Sequence, residues 1–427
     1  MQSPVADYLT HVLSTCQNNQ AGELADYIPE LAQANPNWLA LAVSTIDGTV
    51  YASGDDDIEF TIQSMSKAFA YALALQHLGF DAVHAKVGVE PSGEAFNQIS
   101  LDEDDKPKNP MINSGAITTH ALLPQTLASS RAELLRAFLS ELAGRELAFD
   151  ENVYTSEMQT AFRNLSIAYM LRSVGVLDED PIAIVEGYVR QCSIKVTVKD
   201  LAQMSSVLAN GGVQATTGKR LLDRAVVRQV LSVMMGCGMY DAAGDWLSTV
   251  GIPAKSGVAG GIIGVLPAQV GIAVFSPKLD EHGNSVRGIE IMERMSNDMG
   301  LHLMEGTPSA QTIVQRQYLT GPKHNIQLYE LRGALQFAEA EKLLRILAQD
   351  PNQVVNTIVF DFNDISLIHD VARRMLIEGF DRLIQDQRRV VILDSEDILE
   401  QYITHKGIEL ERYATLDAFM AASSDEA

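Results

Sequence analysis

From Ser64 to Leu78 the chain reads Ser-Met-Ser-Lys-Ala-Phe-Ala-Tyr-Ala-Leu-Ala-Leu-Gln-His-Leu, without Pro, Gly or an acidic residue, and Gly79 follows. Such a run is a helix with a glycine stop, and its apolar content buries it, so a sizeable core must form around it. Within that helix a serine and a lysine stand three apart, Ser64 and Lys67, which puts them on one face. A serine hydroxyl is a poor nucleophile unless a neighbour takes its proton. A buried lysine can do so, because desolvation disfavours its charged form and lowers its pKa. A helix start also favours developing negative charge. This is the Ser-x-x-Lys arrangement of active-site serine hydrolases. Taken alone, the same residues also suit a helix-capping serine and a lysine extending from a core helix, so the rest of the chain must decide.

The 427 residues suffice for two or three domains, and 46% hydrophobic with 20% charged residues is an ordinary globular balance. A formal net charge of -23 argues against nucleic-acid binding, since phosphates would be repelled. No apolar run is long enough to span a membrane, and the N-terminus lacks a basic segment followed by an apolar core, so neither a membrane nor a signal peptide is expected. Cys16, Cys192 and Cys237 are too scattered for a disulfide framework or a zinc site, and the nine histidines show no metal-binding spacing. We expect no metal, no cofactor and a cytoplasmic location. The run Asp55-Asp56-Asp57 reads as a solvated turn.

Two helical segments are expected at about 4–18 and 22–34. A hairpin around Asp47-Gly48 follows, with strands Trp-Leu-Ala-Leu-Ala-Val-Ser-Thr-Ile and Thr-Val-Tyr-Ala-Ser-Gly. Residues 115–250 read as mostly helical, broken at Gly211-Gly212 and around Gly236-Cys237-Gly238. Strands return over 252–276, and a helix closes the region near residue 301. The expectation is an α+β domain, an antiparallel sheet with a large helical region, over residues 1–306. A polar linker is expected over 307–324. From 325 to 427 strands and helices alternate, including a short helix at about 395–405, as in a small α/β domain.

Several further runs carry candidate chemistry. They are Tyr27-Ile28-Pro29, Val87-Gly88-Val89-Glu90-Pro91-Ser92-Gly93, Asn109-Pro110-Met111-Ile112-Asn113, Cys237-Gly238-Met239-Tyr240, and Lys255-Ser256-Gly257-Val258. Glycines in the last would let backbone amides approach a ligand. With Gln63-Ser64-x-x-Lys67, these runs resemble the serine-dependent glutaminase family, whose fold is β-lactamase-like. The resemblance spans roughly residues 20–300. It implies hydrolysis of L-glutamine to L-glutamate and ammonia without a cofactor, through a glutamyl-serine acyl-enzyme.

The resemblance puts the nucleophile on Ser64, its base on Lys67, and a proton-relaying tyrosine on Tyr240. It assigns substrate contacts to Tyr27, Asn113, Glu157, Asn164, Tyr188 and Val258. Asn113-Ser114-Gly115 departs from the family only in its central residue, commonly alanine. The chemistry fits independently: Glu157 can pair a substrate ammonium, while Asn and Tyr groups can donate to its carboxylate. Backbone N–H groups of Ser64 and Val258 are candidates for an oxyanion hole. The resemblance further suggests a homo-oligomer, a tetramer or dimer.

Residues 325–427 have their own likeness. Asp361-Phe362-Asn363-Asp364-Ile365-Ser366-Leu367-Ile368 resembles a STAS domain, a regulatory or interaction module with a possible protein partner. Where such domains carry a phosphorylated serine, this chain has His369-Asp370-Val371. Two other readings compete: a penicillin-recognising serine hydrolase, and a regulatory protein that only senses glutamine. Against the first, no Ser-Asp-Asn or Tyr-x-Asn element separates Ser64-x-x-Lys67 from Lys255-Ser256-Gly257, and no export signal is seen. Against the second stands the complete set of reactive residues.

Overall fold

The computed structural model describes residues 4–92, 101–125, 129–305, 314–321, 325–349 and 355–424. The chain divides into two compact units, one formed by Leu9–Arg294 and the other by Met1–Tyr8 with Met295–Ala427.

The larger unit is built on a five-stranded antiparallel sheet. Strands β1 (Ala40–Thr45) and β2 (Val50–Gly54) form the expected hairpin. Its turn is closed by the Gly48 amide on the Thr45 carbonyl, with Gly48 at φ +90°, where glycine carries no steric penalty. The Asp47 carboxylate braces the turn by accepting from the Thr45 hydroxyl and the Thr49 amide. Short strands β3 (Phe60–Thr61) and β4 (Lys195–Val196) pair separately. Strands β5 (Ala254–Gly257), β6 (Gly261–Leu266) and β7 (Val270–Phe275) complete the main sheet in the order β2-β1-β7-β6-β5.

Strands β1, β5, β6 and β7 are buried at every position, so both faces of the sheet are covered. The helix Val198–Ala209 packs so close to β7 that a Cβ on Gly271 would stand 2.2 Å from the Ser206 nitrogen. Around the buried helix Ser66–Leu78 gather Asn113–Leu122, Arg131–Ala143, Pro181–Cys192 and Arg224–Cys237. Side chains of Ser130, Asp150 and Asp180 cap their helices, and Thr197 with Asp200 forms a capping box. The expected helix at 22–34 is reduced to Pro29–Ala32. The reason is that Gly22 has φ +82° and Glu23 exchanges backbone hydrogen bonds with Leu279, which holds the segment extended.

The second unit holds a mixed sheet in the order β12-β11-β10-β9-β8. Its strands are β8 (Val314–Thr320), β9 (Ile326–Leu335), β10 (Thr357–Ile368), β11 (Arg389–Leu393) and β12 (Glu411–Tyr413). Strands β9 to β12 run parallel, and β8 is antiparallel to β9. Helices Phe337–Gln349 and Asp370–Gln385 link the parallel strands, with the Tyr329 ring stacked on Phe360 and Phe380 tilted against Phe360 between sheet and helix. Phe419, on the helix Leu416–Ser424, packs with Leu328, Val359 and Val391.

Two expectations for this unit need correction. The 307–324 segment, read as linker, contains the edge strand β8, whose side chains are mostly exposed and polar because only one neighbour pairs with it. Residues 395–405 form no helix. Their backbone folds around Asp394, whose carboxylate accepts from the amides of Ile398 and Leu399 and from the Tyr402 hydroxyl. Asp397 and Glu400 stand at φ +64° and +57°, values a right-handed helix cannot contain.

Candidate active site

Ser64 sits in a single 3-10 turn, Gln63–Met65, that feeds the helix Ser66–Leu78. The turn is strained: Gln63, not a glycine, has φ +48°. Such a conformation costs on the order of 1–3 kcal/mol and persists only where its surroundings enforce it. Here a buried relay does so. The Ser66 hydroxyl donates to the Gln63 carbonyl (2.7 Å), Gln191 Nε2 donates to Ser66 Oγ (3.1 Å), and Gln191 Oε1 faces His120 Nδ1 (2.8 Å). Because Gln191 Oε1 can only accept, His120 carries its proton on Nδ1. Burial pushes the imidazole down to about 4, so it is neutral at ordinary pH.

Ser64, Tyr27, Asn113, Glu157, Asn164, Tyr188 and Val258 line one cavity of about 260 Å³. Tyr27 is 47% exposed and stands at the rim, while Ser64 is 6% exposed. Lys67 stands behind the lining: its Nζ donates to Asn113 Oδ1 (2.7 Å) and to the Met111 carbonyl (3.3 Å). Asn113 passes the contact on, donating to Asn164 Oδ1 (2.9 Å), and the Tyr188 hydroxyl donates to Asn113 Oδ1 at 3.5 Å. Burial lowers Lys67 to about 8. Burial likewise raises Glu157 to about 7, against the pull of the Gln63 hydrogen bond (3.4 Å) and the Lys67 charge. The cavity thus has one elevated carboxyl group in its wall and one depressed lysine behind it, the displacement expected of a functional site.

Tyr240 approaches from the other side. Its hydroxyl donates to the Ser256 carbonyl (3.3 Å) and lies beside the Ser64 side chain. Burial pushes the phenol up to about 12. Tyr240 too is left-handed, at φ +57°. It is braced by Lys255, which is wholly buried, donates to the carbonyls of Gly238 and Ser256 (both 2.9 Å), and holds Nζ 4.0 Å from the centre of the Tyr240 ring. Burial, then the Lys67 charge, keeps Lys255 well below the usual lysine range.

The nine residues singled out in the sequence therefore gather around one cavity: seven line it, and Lys67 and Tyr240 hold its lining from behind. Sequence reasoning gave no role to Gln63, Ser66, His120, Gln191 or Lys255. Gln63, Ser66 and Lys255 lie inside the runs quoted above, and only their burial distinguishes them. His120 and Gln191 lie outside those runs.

Sheet, helical cluster and enclosed polar cavity together define an enzyme with a small-molecule site. The chain belongs to the glutaminase family, whose profile matches residues 22–304. It is 49% identical to a glutaminase of Corynebacterium glutamicum, over 95% of this chain and 97% of that protein. It is 43% identical to glutaminase 2 of Bradyrhizobium diazoefficiens, over 99% of this chain and 71% of that one. Among solved structures, one described as Mglu superposes with a TM-score of 0.71 at 47% identity, covering 93% of this chain and all of that one. A probable glutaminase from Bacillus subtilis complexed with 6-diazo-5-oxo-L-norleucine superposes at 0.62 with 32% identity, over 70% of this chain and 94% of that one. Among the described residues, no helix is long and apolar enough to cross a membrane.

Proposed function

We propose that this chain hydrolyses L-glutamine to L-glutamate and ammonia through a glutamyl ester on Ser64. The observation that carries the reading is Lys67: buried, lowered to about 8, and one turn from a serine that lines a cavity shared with Glu157. Family membership supports the substrate. So does the compound bound to the Bacillus subtilis relative, an amino acid with a diazoketone where glutamine has its amide.

In this reading Glu157, as carboxylate, pairs with the substrate ammonium, and Asn113, Asn164, Tyr188 and Tyr27 hold the amino-acid head. The amide carbonyl then lies against Ser64. Neutral Lys67 takes the Ser64 proton as Oγ bonds to the carbonyl carbon. The backbone N–H groups of Ser64 and Val258 donate to the developing oxyanion. The C–N bond breaks as the nitrogen takes a proton from Tyr240, which recovers one from Lys67. Water repeats the sequence in the opposite sense, and the proton returns to Ser64. Lys255 fixes the ring that performs the relay.

Ammonia release by the purified protein tests this. L-glutamine should be turned over and L-asparagine should not, because its shorter side chain holds the carbonyl away from Ser64, and misplacement by about 1 Å costs ~100-fold. Equal rates on the two, or turnover by Ser64→Ala near the wild-type rate, would contradict the assignment.

The alternating second unit, with β10 entering the helix Asp370–Gln385, is read as a STAS-like module. Valine at 371 removes the phosphorylation switch. Asp370 does not cap the helix; its carboxylate accepts from Arg373 (2.7 Å) instead. The module is therefore expected to act by constitutive contact, within a homo-oligomer or with a protein partner, in the cytoplasm.

A further inference from the structure

A second cavity, of about 340 Å³, has Tyr240 in its wall. Its floor is buried: Asn109, Ile112, Cys237 and Tyr240 are each 6% exposed or less. Its outer rim is open, formed by Pro91, Asp241, Gly244 and Leu247, all exposed. Ser64 and Asn113 line the first cavity, and Tyr240 and Ile112 line the second, so the partition runs between Ser64 and Tyr240 and between the neighbours Ile112 and Asn113. The reacting centre is therefore flanked by two spaces. The first opens beside Tyr27, Thr160 and Arg163, on the segments that carry the head-group residues Glu157 and Asn164.

We propose that the cavity behind Tyr240 is the route by which ammonia leaves and hydrolytic water arrives. The inference rests on the glutaminase reading of Ser64 and Tyr240. Once Ser64 carries the glutamyl group, the amino-acid head fills the first cavity and stoppers its mouth. The C–N bond breaks on the side of the proton donor, Tyr240, so the nitrogen departs carrying that proton toward the second space. The ester then loses its serine to a water that occupies the vacated nitrogen position. That water reaches the carbonyl carbon past the same tyrosine and gives up one proton there. One opening thus serves the leaving amine and the incoming water. Asp241 puts a carboxylate at the exposed rim, while the buried part of the wall is uncharged and suits small neutral molecules. The Cys237 thiol, pushed up to about 12 by burial, stays uncharged, and Asn109 is held by Glu90 and Met111.

The walls also supply the test. Gly236 and Gly244 line the cavity from two helices, Arg224–Cys237 and Ala243–Thr249, and neither has a left-handed φ. Among the described residues, a Cβ on Gly236 would meet only Pro91, at 3.6 Å, and one on Gly244 would meet nothing within 4 Å. Larger side chains therefore have room there, and replacing glycine within a helix does not itself weaken it. Gly236→Leu and Gly244→Phe, made separately, should each lower kcat for L-glutamine by about tenfold or more, as when release limits turnover. KM should stay unchanged or fall, and glutamyl-enzyme should build up in acid-quenched samples. Gly236→Ala, which leaves the cavity open, should keep the wild-type kcat. Wild-type kcat in both filled variants, with melting temperatures at or above wild type, overturns the route alone. Turnover by Ser64→Ala near the wild-type rate overturns the chemistry on which the route depends.

Discussion

At the residue scale the site depends on charge states set by burial. Lys67 can accept a proton only when neutral, and Glu157 can pair with an ammonium only when ionised. Both conditions improve as pH rises, through about 8 for the lysine and about 7 for the carboxyl. kcat/KM should therefore climb across pH 7 and 8, and a profile that falls there would contradict the roles assigned. Lys67→Ala should abolish turnover without recovery at high pH, since the hydroxyl still lacks a positioned base. Glu157→Gln should chiefly raise KM, by the on-the-order-of 1.5–3 kcal/mol of a charged hydrogen bond. Equal kinetics with an analogue lacking the α-amino group would remove Glu157 from that task. The nine candidate residues were named from the sequence: Tyr27, Ser64, Lys67, Asn113, Tyr240 and Val258 sit in runs of distinctive composition, while Glu157, Asn164 and Tyr188 follow from the family resemblance alone. The relay of His120, Gln191 and Ser66 was not, because its members are 71 and 125 positions apart along the chain and meet only in the fold. Gln191→Leu should leave the buried His120 Nδ1–H unpaired, at about 1–3 kcal/mol, remove one of the two hydrogen bonds of the Ser66 hydroxyl, and lower kcat by loosening the Gln63 turn. Unchanged stability, read from urea denaturation, would contradict that account.

At the element scale, the helix Ser66–Leu78, the Asp47-Gly48 hairpin and strands β5 to β7 followed from periodicity and turn chemistry. The departures have local causes. Ser64 precedes the α-helix instead of opening it, because the positive φ of Gln63 forces a 3-10 turn first. Strand β8 read as linker because an edge strand buries little and so carries few apolar residues. The loop around Asp394 read as helix because its composition suits one, while its geometry is dictated by hydrogen bonds to one carboxylate. Helix termini matter measurably. Thr197 accepts from the Asp200 amide in a complete capping box, so Thr197→Ala should cost about 1 kcal/mol and lower the melting temperature. An unchanged melting temperature would deny the box any role in stability.

At the scale of the whole molecule, Leu9–Arg294 contains every candidate residue of the site, and the second unit has its own sheet and core. Truncation after Gly306 should leave a protein that still releases ammonia from L-glutamine, with altered assembly or regulation. A truncated protein that folds yet stays inactive at high concentration would instead make the C-terminal residues part of the catalytic machinery. The central claim remains the covalent step at Ser64. It is tested most directly by acid-quenching the enzyme during turnover of L-glutamine and measuring the mass of the peptide that bears Ser64. The account predicts a glutamyl adduct on that peptide, lost in Ser64→Ala together with ammonia release. Full turnover by Ser64→Ala, or an adduct on any other residue, would contradict it.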